Sequence, residues 1–315
     1  MPLALAQCPR PQAADGTSVV RYEIRDRLRI EPPKDPAREL AVWQPLISDS
    51  PYQRVLDIAV SSPIEWREAR EPVHGNRMLH AAVPLGAAPT ALDVQYVVER
   101  LPVRHTIHPG CVRPLDDPRL FARDLAAEQF VDVDARTRAL AAEIAGPESN
   151  PLMQARRFYD YVTSTMIYDA ANQSWKGSTE HALVCAAGNC NDIHALFISL
   201  CRSAGIPARL VLGQALEPPP PGEAACDLCG YHCWAEFFAA GLGWLPADAS
   251  CACKYGTHGL FGSLEMNHVA WSVGRDLILA PAQRGSPVLF FAGPYAEAGG
   301  QAWRGFERHI SFEIP

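Results

Sequence analysis

The sequence predicts an α+β protein in which an all-β sandwich precedes a domain of helices packed on an antiparallel sheet. Three observations carry this. Residues 19–98 hold several short alternating segments separated by prolines and glycines, with no helical period. Two amphipathic helical segments follow between Asp134 and Met166, and a third runs from Cys190 to Ala204. Strand-like segments then return from Ala208 to the end of the chain.

In order, residues 1–17 are expected to form a disordered tail, because Met1 to Cys8 lack the basic start and apolar stretch of a signal peptide. From Val19 to Ile30, Tyr22, Ile24, Leu28 and Ile30 share one face and Arg21, Glu23, Arg25, Arg27 and Arg29 the other, which is the pattern of a half-solvated strand. Residues 41–46, 52–60, 78–83 and 92–98 read as further strands, giving an accessory sandwich over 18–106. Pro109, Pro114 and Pro118 mark a linker over 107–133, and a catalytic domain is expected over 134–315. It opens with a helix capped by Asp134 that closes near Gly146. A second helix starts at Pro151 and carries Leu152, Ala155, Phe158, Tyr159, Val162 and Met166 on one face. The last strand-like stretches, ending at 309–314, are expected to complete a sheet behind the helices.

The chemistry concentrates between Gly188 and Asp248. Cys190 directly precedes Ile193, Leu196, Phe197, Leu200 and Cys201, whose spacing marks an amphipathic helix, so the thiol lies at a helix N-terminus. There the unpaired backbone N–H groups favour a thiolate and could hold an oxyanion. His232 opens a short aromatic strand, Gly241 and Gly243 supply a turn, and Trp244 to Asp248 reads as the returning strand. A hairpin of this kind brings Asp248 alongside His232 and yields nucleophile, base and orienting carboxylate. Singly, each has a plainer reading: a buried small cysteine, a core histidine, a turn aspartate. Trp175, in the loop from Tyr168 to Ser178, and Asn189 are candidates for the acyl pocket or an oxyanion contact. Trp175 equally fits a core tryptophan. Asp192 is read as a partner of the helix dipole.

Residues 188–197, 202–209, 230–236 and 243–248 together resemble the bacterial transglutaminase-like superfamily, with four motifs in order at family-like spacing. Phe261 to Val269 and Gly274 to Leu277 are similar to one branch of it, which carries an all-β N-terminal domain. The resemblance is strongest over 150–295. It implies a papain-like core, Cys190, His232 and Asp248 as the triad, and acyl transfer through a thioester on a protein or peptide substrate. The implied activity is either transglutaminase-type cross-linking or a peptidase or amidase, and catalysis needs no cofactor. The alternative is a catalytically silent scaffold or zinc-binding protein on the same fold.

Cys226 and Cys229 form a C-x-x-C and Cys251 and Cys253 a C-x-C, one pair on each side of the hairpin. They admit three readings: a structural tetrahedral zinc site, a disulfide or redox pair, or four unrelated small residues. The formal charge of −7 gives no basic footprint for nucleic acid, and the apolar runs fall short of a membrane span. Ten cysteines without a signal peptide favour a reducing, cytoplasmic setting.

Overall fold

The structure, a computed structural model, describes residues 19–34, 39–84, 88–105, 108–217, 225–228, 230–257 and 259–315. The expected tail over 1–17 and Cys229 lie outside the described residues. The chain divides into two compact units, and within the described residues the division falls between Leu101 and Pro102, Leu210 and Val211, His232 and Cys233, and Glu265 and Met266.

One unit is all-β and gathers residues 18–101, 211–232 and 266–315. Its first sheet centres on Val20–Ile30, which alternates buried and exposed along its length. That strand pairs antiparallel with Thr90–Arg100 on one edge and Phe306–Glu313 on the other, and Gln53–Ser61 and Ala225–Leu228 extend the sheet to five strands. The second five-stranded sheet holds Leu40–Pro45, Trp66–Arg70, Arg77–Val83, Tyr295–Ala298 and Gln301–Ala302. Ile24, Leu28, Leu92 and Val94 from the first sheet join Val42, Leu79, Ala81 and Ala296 from the second in one buried cluster, the core of a sandwich. Each fully buried Leu, Ile or Val there contributes about 1.5–3 kcal/mol relative to exposure.

The final strand departs from its expected place. Phe306–Glu313 lies against Val20–Ile30 in this sandwich, with Phe312 opposite Ile24 and Ile310 opposite Asp26. Its alternation fixed which face is buried but carried no information on which strand it would join.

The strand His268–Val273 pairs with the later half of Ala208–Ala215. Two buried amide side chains act as surrogate strand neighbours for it. Gln53 donates to the Ala270 carbonyl at 3.0 Å and accepts its N–H at 2.8 Å, while Asn76 makes the equivalent pair with Val273 at 2.7 Å each. The register shifts between Leu212 and Gly213. A Cβ on Gly213 would stand 2.1 Å from the Val269 carbonyl oxygen, so only glycine permits this approach.

The other unit includes residues 102–210 and 233–265. Its centre is the helix Cys190–Ser203, in which every residue from Cys190 to Arg202 is buried. Helices Ala135–Ala145, Pro151–Thr165, Thr179–Cys185 and Ala249–Tyr255 pack around it. The first two start and stop as their sequence signals require. Asp134 forms a capping box with Thr137, Gly146 ends that helix at φ 54°, and the Asn150 side chain caps the helix that Pro151 opens. The expected linker contains the short helical segments Pro109–Cys111, Pro118–Phe121 and Ala122–Leu125. Phe237 stacks on Phe261 at 5.0 Å and meets Phe197 edge-on at 6.1 Å, which seats the hairpin on the central helix. No helix of the described residues is long and apolar enough to cross a membrane.

Candidate active site

Cys190 is the first residue of its helix and is 6% exposed. The preceding Asn189 is the cap, and its Oδ1 accepts the N–H groups of Asn191 at 3.0 Å and Asp192 at 3.4 Å. Two first-turn donors are therefore spent on the cap. The Asn189 amide nitrogen in turn donates to Gln173 Oε1.

Asp192 does more than face a helix dipole. It is fully buried, and its carboxylate accepts the backbone N–H groups of Ser174 at 3.1 Å, Ser178 at 2.9 Å and Asn189 at 3.4 Å, as well as the Ser174 hydroxyl. A Cβ on Gly188 would lie 2.6 Å from that of Asp192, so the residue ahead of the cap has no room for a side chain. These contacts fasten the loop before the helix Thr179–Cys185 to the first turn of the Cys190 helix. Trp175 sits on this loop in the left-handed region, at φ 62°, with 79% of its surface exposed.

His232 opens the strand His232–Ala239. Its ring meets that of His268 edge-on at 5.2 Å, and His268 Nδ1 is 2.8 Å from Asn267 Oδ1. The strand pairs with Gly243–Ala247 in the register Ala235 to Ala247 through Ala239 to Gly243. Both Gly241 and Gly243 have positive φ, which the turn needs. Continued by one residue, this register sets Asp248 opposite Trp234, a residue that shares its strand face with His232.

Asp248 caps the helix Ala249–Tyr255. Its Oδ1 accepts the Cys251 N–H at 2.8 Å and the Ser250 hydroxyl at 2.9 Å, and its own N–H donates to the Leu260 carbonyl at 3.0 Å. The carboxylate is fully buried. Its charge adds to burial in pushing up the Cys253 thiol, to about 11, and the Tyr159 phenol.

Of the four cysteines read as a zinc site, Cys226 lies on the strand Ala225–Leu228 and Cys251 and Cys253 lie on the helix Ala249–Tyr255. Two positions apart on a helix, side chains point roughly 200° from one another. A C-x-C in a loop has no such divergence.

His194 was not singled out from the sequence. It lies one helical turn past Cys190, and the i, i+4 spacing was the signal available. Fully buried, it receives the Ala249 N–H at Nε2 at 3.1 Å and has Asp248 Oδ1 3.5 Å from the same atom. Its Nδ1 lies 3.7 Å from Cys233 Sγ, which is itself 3.3 Å from Asn191 Oδ1.

Residues 138–249 match the model of the transglutaminase-like superfamily. The chain is 26% identical over 335 aligned positions to an uncharacterized protein of Haemophilus influenzae, covering 93% of this chain and 89% of that one. Its fold is similar to that of a Cytophaga hutchinsonii protein described provisionally as a cysteine protease. That likeness has 16% identity and a TM-score of 0.62 and covers 95% of this chain and 99% of the other. It is also similar to the periplasmic domain of TgpA from Pseudomonas aeruginosa, at 19% identity and a TM-score of 0.38, over 75% of this chain and 91% of that domain.

Proposed function

We propose, from the match of residues 138–249 to the transglutaminase-like superfamily, that the protein is a cysteine enzyme that works on peptide or carboxamide bonds through a thioester on Cys190. The observation that carries the reading is the place of Cys190. It is the first residue of a capped helix, buried from Cys190 to Arg202, inside the matched segment, followed in the chain by a strand-opening His232 and a buried Asp248.

In this reading His232 takes the proton of the Cys190 thiol, and the sulfur attacks the carbonyl carbon and forms a C–S bond. The carbon–nitrogen bond breaks, and the departing amine takes a proton from His232. Asp248 orients the imidazole and balances its charge. Water or a second amine then attacks the thioester and returns the thiol. Hydrolysis and transfer share these residues, and they differ in how well the acyl group is shielded from water.

The test is a protein substrate such as casein, incubated with and without a primary amine. New carboxylic acid or new N-termini in both mixtures indicate an amidase or peptidase, whereas incorporated amine indicates transfer. Both products should vanish in Cys190→Ala. No product in either mixture, or product unaffected by that substitution, would contradict the reading. A structural zinc on Cys226, Cys229, Cys251 and Cys253 is a separate proposal with no part in this chemistry. Metal content of the purified chain before and after chelation tests it.

A further inference from the structure

We infer that His194 is a positioning residue that fixes the helix of Cys190 against the chain segments that follow His232 and Asp248. The inference rests on the reading of Cys190 as the nucleophile.

Three facts converge on this side chain. The Ala249 N–H, one of the orphan donors at the start of the Asp248 helix, is directed at His194 Nε2 at 3.1 Å. The same nitrogen is 3.5 Å from Asp248 Oδ1, and Nδ1 is 3.7 Å from Cys233 Sγ. A nitrogen that accepts a backbone N–H carries no proton, so a ring proton of His194 sits on Nδ1, the side that faces Cys233. A single side chain, four residues past Cys190, therefore caps the Asp248 helix from the nucleophile helix and touches the residue next to His232. Asp248 caps the Cys251 N–H of that helix and His194 the Ala249 N–H, so two side chains from different elements share one helix start.

A histidine that only filled volume would be replaceable by an apolar residue of similar size. One that holds register needs an acceptor at Nε2. Glutamine supplies a carbonyl oxygen for the Ala249 N–H, and leucine supplies none.

The experiment measures the second-order rate of iodoacetamide alkylation at Cys190 by peptide mapping, from about pH 5 to 9, for the full chain, His194→Gln and His194→Leu. Thermal midpoints are recorded alongside. His194→Leu is expected to slow labelling of Cys190 by about tenfold and to move the midpoint of its pH profile upward, while His194→Gln restores most of the rate. A folded His194→Leu with an unchanged rate and profile would overturn the role of His194. Labelling of Cys190 no faster than of exposed Cys185 in the unmodified chain would overturn the nucleophile reading instead, and the inference with it. Imidazole 15N spectra of the unmodified chain give a readout that does not depend on how the variants fold. The Nδ1–H tautomer is expected at His194, and an Nε2–H tautomer there would contradict the assignment.

Discussion

The Asp192 carboxylate accepts the backbone N–H of Ser178 at 2.9 Å, across a loop of the chain that carries Trp175. With the Ser174 and Asn189 contacts, this makes one buried side chain the link between that loop and the first turn of the Cys190 helix.

Asp192→Ala would take the shared acceptor from these part-buried donors. The expected cost is about 2–4 kcal/mol of stability, against less for Asp192→Asn, which keeps one acceptor oxygen. Urea unfolding of the full chain measures it. A loss no larger than that of an exposed substitution would show that the loop is not held this way.

A second buried ion tie sits at the other end of the same helix. Arg202 meets Glu128 at 3.0 Å with both side chains almost fully buried, and also donates to the carbonyls of Ala208 at 2.8 Å and Ala126 at 2.7 Å. Glu128→Ala strands a buried cation and is expected to cost about 3–5 kcal/mol. Glu128→Leu combined with Arg202→Met should cost less than the sum of the two single changes, a coupling that a double-mutant cycle reads directly.

Much of this architecture was legible in the sequence wherever a local signal decided it. Asp134, Gly146 and Pro151 marked helix ends, the apolar spacing after Cys190 marked the central helix, and Gly241 and Gly243 marked the hairpin turn. What was illegible depended on partners distant in the chain. The strand Phe306–Glu313 announced its buried face but not its neighbour Val20–Ile30. The helix Thr179–Cys185 is only seven residues long, with Thr179 and Ala182 buried, too little surface for a periodic pattern to emerge. Asp192 read as an ordinary first-turn acid and His194 drew no reading at all, because their roles exist only once a loop and a second helix have been brought to them.

Alkaline pH gives a third prediction. Burial, and after it the Asp248 charge, raises the Cys253 thiol from 9.0 to about 11. Burial also raises Cys201 and Tyr159. Between these limits the unfolded chain has released protons that the folded chain still holds. Stability is thus fully present below the ordinary thiol value and is lost as the pH rises toward the folded one. The thermal midpoint should fall between pH 9 and 11, and Cys253→Ser should flatten the fall. A midpoint that rises over this interval would contradict the assignment.

Trp175 supplies a fourth. Its exposed ring on a left-handed backbone contributes little to the core, so Trp175→Gly should change stability by less than about 0.5 kcal/mol. If the ring meets substrate, the same change should raise KM for a protein substrate several-fold while leaving the rate of Cys190 alkylation intact. Equal KM values would remove Trp175 from the site.

In the proposed reaction the Cys190 sulfur forms an acyl-enzyme. Brief reaction with p-nitrophenyl acetate, acid quench and peptide mapping test it most directly. An acetyl group on Cys190 that hydroxylamine removes, formed more slowly in His232→Ala, is the predicted result. Acetylation spread over several cysteines, or unaltered by His232→Ala, would contradict the account.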